Sequence, residues 1–297
     1  MPKPAPKAAK PPHKEIIRPP AVAGAFYPGT PEALRNMVNA LLSEAPATNV
    51  PGTVVAAIAP HAGYAFSGKI AALTHRAIAN TPFDTVVIIG HNAYRGAVAY
   101  LCPVDAFETP LGTVPTDREM MRKMMAYNPG IVANTAIHRS EHTVEVQLPF
   151  FQVLGRKNYK IVPILFGDPS PKNCKILADA ILKAAGGKKV FVLASTDMSH
   201  YPPYREAEKL DHATLKAIET FDIQAFFKHL HAAERKPVPN LATPMCASGG
   251  VGTAMLFAKA GGAATVRTLG YANSGDAPGI GDKRRVVGYG AALFLKP

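Results

Sequence analysis

The chain of 297 residues is 47% apolar and 18% charged, an ordinary balance for a folded globule, which excludes a disordered polymer and allows one large α/β domain or two smaller ones. It holds no run of about 18 apolar residues and no apolar leader at its start, so no membrane span is expected and the cytoplasm is the expected compartment. The net charge is +12, with +4 of it in the first 18 residues (Lys3, Lys7, Lys10, Lys14 and Arg18 against Glu15); no Lys/Arg run is interleaved with aromatics, which favours acidic small ligands over specific nucleic-acid binding.

Residues 1–20 are rich in Pro, Lys and Ala and read as a disordered basic tail, leaving residues 21–297 as one domain. A helix is predicted over 31–45, where Thr30 precedes a proline at the first helical position. A buried strand follows at 54–59, a helix at 67–79 and a strand at 86–89. Thr116, Asp117 and Glu119 open a helix over 117–127, and strand 161–165, helix 171–185 and strand 190–194 come next. Helices at 204–221 and 247–260 and strands at 264–269 and 286–295 complete the chain. Strands alternating with helices predict a single α/β domain whose mostly parallel central sheet is flanked by helices.

In such sheets the working crevice lies outside the carboxyl ends of the strands. Strand 54–59 runs directly into Pro60-His61-Ala62-Gly63-Tyr64, strand 86–89 into Gly90-His91-Asn92, and strand 190–194 into Ser195-Thr196-Asp197-Met198-Ser199-His200. Three imidazoles from distant parts of the chain therefore meet at one sheet edge, a pattern suited to an open transition-metal site, although each alone also fits a helix cap or a satisfied loop. Asp197, three residues before His200, can orient that imidazole, which makes the pair the acid/base candidate; a turn cap is the plainer reading. Cys246 precedes an Ala/Gly-rich helix whose dipole would favour thiolate, as metal ligand or nucleophile, against the alternative of a small buried hydrophobe. Cys102 and Cys174 read as structural, and three widely spaced cysteines make neither a disulfide framework nor a closed zinc knuckle. Glu141 and His142 open a helical stretch from which either reaches the crevice, or caps it. Residues 271–282 read as a Gly-rich rim loop, and no nucleotide-binding glycine motif follows a strand.

Taken in order, Ala23-Gly24-Ala25-Phe26-Tyr27-Pro28, Pro60-His61-Ala62-Gly63-Tyr64, Glu141-His142-Thr143-Val144-Glu145-Val146-Gln147-Leu148-Pro149-Phe150, Ser195-Thr196-Asp197-Met198-Ser199-His200 and Cys246 resemble the MEMO family, called AmmeMemoRadiSam system protein B in prokaryotes, over residues 18–297. The resemblance implies a fold similar to class III extradiol dioxygenases. It also implies a metal site of His61, His91 and Cys246, with His200 as acid/base, Asp197 beside it, and His142, Glu141 and Tyr64 in the pocket. A thiolate in the ligand set favours iron(II), with copper as the alternative. One departure stands out: relatives carry Gly-x-Ser/Asn-His after the second strand, whereas this chain has Gly90-His91-Asn92-Ala93, so His91 matches only across a two-residue gap.

Two classes of function follow. One is a dioxygenase-like oxidoreductase acting on an unknown small substrate. The other is a non-catalytic binding or scaffold protein that uses the same pocket, with basic rim residues such as Arg95, Arg284 and Arg285, for an anionic ligand or partner peptide. A zinc hydrolase is a third arrangement of the same ligands, and the resemblance names a radical SAM protein as partner.

Overall fold

A computed structural model describes residues 14–47, 50–91, 94–155 and 158–297; most of the predicted tail, and residues 92 and 93 of the departure after His91, lie outside the described residues. In chain order the strands are β1 Ile17–Arg18, β2 Thr53–Ala59, β3 Thr85–His91, β4 Ala99–Leu101, β5 Ala106–Thr109, β6 Gly112–Pro115, β7 Ile131–Ala133, β8 Lys160–Phe166, β9 Val190–Ser195, β10 Thr265–Asn273 and β11 Gly288–Lys296. The helices are α1 Pro31–Glu44, α2 Tyr64–Ala77, α3 Arg118–Tyr127, α4 Thr135–His138, α5 Leu148–Val153, α6 Pro171–Ala185, α7 Tyr204–Glu219, α8 Ile223–Glu234 and α9 Ser248–Ala260.

Eight strands form one sheet in the order β10-β11-β2-β9-β3-β8-β4-β7, and β1-β5-β6 form a small second sheet. The four central strands β2, β9, β3 and β8 run parallel, as the apolar runs predict. Both flanks depart from that pattern: β4 pairs antiparallel with β8, and β11 antiparallel with β2 and with β10. Side chains of the central strands alternate between two cores. Ile58, Val87, Ile89, Val162 and Val192 pack with α3, α6, α8 and α9, whereas Val86, Ile88, Ile161 and Leu193 pack with Phe107, Leu148 and Phe151 on the other face. Burial on both faces is the reason these runs are apolar throughout.

Two features of the N-terminal region differ from the sequence expectation. Ile17 and Arg18, placed there in the tail, form β1 against β5, because Arg18 has a buried partner described below. Helix α2 starts at Tyr64 rather than near residue 67, so Tyr64 belongs to the helix and its hydroxyl donates to Val146 O at 2.6 Å. At the other end of the site, a Cβ on Gly249 would overlap the Phe166 ring, and one on Gly250 would lie 3.0 Å from Ile89 O. These glycines let the first turn of α9 close onto the ends of β3 and β8, which brings Cys246 to the strand ends.

Candidate functional site

Because β2, β3 and β9 are parallel, the segments that follow them emerge at one edge, and there they surround a cavity of about 600 Å³. Its wall includes His61, His91, His142, Asp197, His200 and Cys246, with Glu141 and Thr143 beside them. Of the pocket residues expected from the sequence, Tyr64 alone is not on the wall. Its ring is buried between Tyr27 and Phe150, so it supports the wall from behind.

His61 forms the floor. Its backbone N–H donates to Asp197 Oδ1 at 2.7 Å, its Nδ1 lies 3.3 Å from Ser195 Oγ, and its Nε2 lies 3.2 Å from Cys246 Sγ. Burial, together with the neighbouring His142, His200 and His91, holds the ring well below the usual imidazole range, so it is neutral at ordinary pH. Asp197 stands beside this ring, with Oδ2 at 4.0 Å from His61 Nε2. Burial pushes its carboxyl up to about 7 even though the backbone N–H groups of His61 and Ala62 favour the charged form. Asp197 therefore serves His61, whereas the sequence reading had it orienting His200.

Cys246 accepts a hydrogen bond from Asp197 N at 3.3 Å, and Thr196 Oγ1 lies 3.7 Å away. The sequence expectation of a thiolate is reversed in this environment: burial and the adjacent Asp197 carboxylate push the thiol up to about 12. Cys246 also precedes the Ala247 cap of α9, and a helix dipole worth about 0.3–1 kcal/mol does not offset full burial.

His200 sits in a ribbon bridged to Thr243 on one side and Val287 on the other. Its backbone N donates to Thr243 O at 3.0 Å and its carbonyl accepts from Ala242 N at 3.0 Å, while its buried Nε2 has no hydrogen-bond partner among the described residues. Burial lowers its basicity below the usual imidazole range. His91 ends β3; burial first, then the Arg95 charge, bring it down to about 4. It also faces a second cavity of about 430 Å³ that it shares with Cys246, Arg95 and His231. His142 packs edge-on against His61, with ring centroids 5.4 Å apart, and its Nδ1 is 3.2 Å from Glu141 Oε1. Glu141 in turn accepts from Thr143 N at 2.9 Å and from the Thr143 hydroxyl, which folds the wall segment.

Among the described residues no group of three or more His, Cys, Asp or Glu side chains is arranged to hold a metal ion. His61 and Cys246 are in contact, and His91 is on the same wall without completing a three-donor cluster.

Of the remaining wall residues the sequence pointed to Arg285 as a rim cation, to Phe26 through the resemblance and to Ile280 through the rim loop, but not to Phe66, Tyr201 or Tyr289. Phe26 and Phe66 come from one side, and Tyr201, Ile280, Arg285 and Tyr289 from the other. Arg285 lies over the Tyr201 ring at 4.8 Å, whereas Arg284 pairs with Asp282 and Arg95 donates to Gly167 O at 2.8 Å. The rim loop is thus a wall of the cavity. Behind the floor, Ser195 and Gln147 are polar residues inside apolar surroundings, and that burial is the signal that singles them out.

Among the described residues no helix is long and apolar enough to cross a membrane. A family model described as "Memo-like protein" matches residues 18–293. A MEMO1 family protein of Archaeoglobus fulgidus is 35% identical over 282 residues, covering 94% of this chain and 99% of the relative. One from Methanopyrus kandleri is 35% identical over 292 residues, with 94% and 99% covered, and one from Nitrosopumilus maritimus is 32% identical over 285 residues, with 94% and 100% covered.

Proposed function

We propose, for a chain that belongs to the Memo-like protein family, that the cavity at the strand ends is a metal-dependent oxidoreductase site acting on a small substrate. The observation that carries this reading is the 3.2 Å contact of His61 Nε2 with Cys246 Sγ on the floor of a cavity sized for a small molecule. A neutral imidazole and a cysteine sulfur fit a borderline-soft divalent ion, and His91 on the same wall would be the third donor. Iron(II), or copper in its place, would supply the redox chemistry that protein side chains lack.

The chain's own residues account for binding and proton transfer. Phe26, Phe66 and Tyr289 give the substrate an apolar surface, and Arg285 gives it a cation at the mouth. His200, on the cavity wall and lowered in basicity by burial, takes a proton from a substrate hydroxyl. Asp197 holds the backbone of His61 and thereby the ring that faces the cavity. Zinc in the same place would make the chain a hydrolase, and the identity of the metal separates the two.

The second reading is a binding protein without turnover. It is favoured by the lack of a three-donor group among the described residues and by exposed Phe66, Tyr201 and Ile280 at the rim beside Arg285, a surface for an anionic ligand or partner peptide. The radical SAM partner implied by the resemblance fits either reading. Elemental analysis after anaerobic purification decides between them. Stoichiometric iron or copper in the wild type, lost in both His61→Ala and Cys246→Ala, supports the metal site. Equal metal content in all three proteins, or none in any, removes it and leaves the binding reading.

A further inference from the structure

We infer that Ser195 and Gln147 are positioning residues that lock His61 in the tautomer with its proton on Nδ1, so that Nε2 turns a lone pair toward Cys246 and the cavity. The assignment follows from counting donors and acceptors along one buried chain. Pro60 O can only accept, and a Gln147 amide nitrogen lies 2.9 Å from it, which fixes the orientation of that amide. The same nitrogen reaches Ser195 Oγ at 2.8 Å, so its two hydrogens are both committed. Gln147 Oε1 then faces His75 Nε2 at 2.9 Å and accepts from it.

Ser195 has one hydroxyl proton. Thr143 O, 2.6 Å away, can only accept, so that proton goes there. The serine oxygen is left with lone pairs alone: one accepts from Gln147, and the other faces His61 Nδ1 at 3.3 Å. Nδ1 must therefore carry the hydrogen. In a neutral ring Nε2 is then bare, and it points at Cys246 Sγ, which also accepts from Asp197 N. The opposite tautomer would set two lone pairs against each other unless Ser195 turned away and left Thr143 O unpaired. Ser195, Gln147, His75 and His61 are all buried, so no water repairs such a mismatch.

The consequence is that His61 offers Nε2 to the cavity already oriented, as a proton acceptor or a ligand. Only the ligand role rests on the metal reading proposed above; the tautomer does not. The test is nitrogen-15 NMR of the imidazoles in metal-free protein at neutral pH, with the His61 signals assigned through His61→Gln. A pyrrole-like Nδ1 and a pyridine-like Nε2 are expected in the wild type, and a shift of the proton toward Nε2 in Ser195→Ala. A wild-type ring protonated on Nε2 overturns the inference, as does a Ser195→Ala ring that keeps the wild-type pattern. Should Ser195→Ala fail to fold, the wild-type spectrum still decides.

Cobalt(II) titration of the same proteins reads the ligand role separately. A loss of about 10- to 100-fold in affinity is expected in Gln147→Leu, which leaves Ser195 and His61 in place but unsupported. If the wild type shows the expected tautomer and binds no cobalt, the relay stands and the metal reading falls. If cobalt binds the wild type and Gln147→Leu equally, the relay has no influence on the ligand and that part of the inference falls.

Discussion

Removing the Arg18 side chain tests the buried frame that holds the cavity wall. Arg18 is 4% exposed and Glu145 is fully buried, and the guanidinium grips the carboxylate through Nη1. Arg18 also donates from Nε to His138 O at 3.0 Å and from Nη2 to Glu141 O, and it lies over the Phe107 ring at 5.1 Å. Arg18→Ala leaves a carboxylate with no counter-charge inside the protein, a change that typically costs about 3–5 kcal/mol. Glu145 still accepts from Ala21 N at 2.7 Å, Val22 N at 3.0 Å and the Tyr27 hydroxyl, which sets the expectation at the lower end, about 3 kcal/mol. For a chain of this length that is a fall in Tm of roughly 5 °C. Guanidinium unfolding of Arg18→Ala, Glu145→Gln and the double variant measures the loss and the coupling, since the neutral amide removes the buried charge that the single variant strands. A loss under about 1 kcal/mol in Arg18→Ala, the behaviour of an exposed ion pair, would refute the reasoning.

Asp211 is buried, accepts from Ser199 N and Ser199 Oγ at 3.0 Å each and from the Tyr271 hydroxyl at 2.8 Å, and is pushed up to about 7 chiefly by burial. The folded chain keeps this proton up to about pH 7 whereas an unfolded chain releases it near 3.8, so wild-type stability falls as the pH rises between those values. Asp211→Asn is expected to gain on the wild type over that window by a few kcal/mol, on the order of the linkage energy. Urea unfolding at pH 5 and pH 8 checks it, and parallel pH profiles of the two proteins would contradict it; Asp197 contributes to both and cancels. A Cβ on Gly90 would overlap the Thr143 hydroxyl and lie 2.7 Å from Thr143 Cβ, so Gly90→Ala is expected to cost about 1–3 kcal/mol; in that background Thr143→Gly, which removes both atoms, is expected to restore more stability than Thr143→Ala, which keeps the Cβ. Equal recovery, or none, in the two double variants would mean that the strand end, not the Thr143 side chain, bears the strain.

What the sequence made legible is what local pattern carries. The apolar run 86–89 and its counterparts in β2, β8 and β9 identify the central strands, and the polar residues that follow them identify the edge where the cavity lies. The short strands β4 to β7 escaped because three or four residues carry no period. Helix α8 had a readable start, with Asp222 accepting from Gln224 N at 2.8 Å and Ala225 N at 3.1 Å, but Phe226 and Phe227 side by side blur the apolar stripe. Arg18 looked like part of a basic tail because its partner lies 127 residues away. Ser195 and Gln147 stand in the strings that carry the resemblance, but their pairing is silent for the same reason: a hydrogen bond across 48 residues leaves no trace in spacing. Tyr64 misled because it stands in the same short string as His61, yet the first turn of α2 points it to the opposite side.

The antiparallel flank explains how one edge collects so many functional groups. Parallel strands bring only their carboxyl ends to the cavity, but β11 runs against β2, so its amino end and the loop before it arrive at that same edge. Residues 286–288 then meet the segment after β9: Tyr201 N donates to Val286 O at 2.6 Å, Met198 N to Gly288 O at 2.8 Å and Gly288 N to Ser199 O at 2.9 Å. On the other side the same segment is held by the chain that leads to Cys246, through His200 N and Thr243 O. His200 is therefore located by backbone hydrogen bonds on both sides, and its side chain need make none. An imidazole whose Nε2 is buried and unpartnered ordinarily costs stability. Here the stitched ribbon bears that cost.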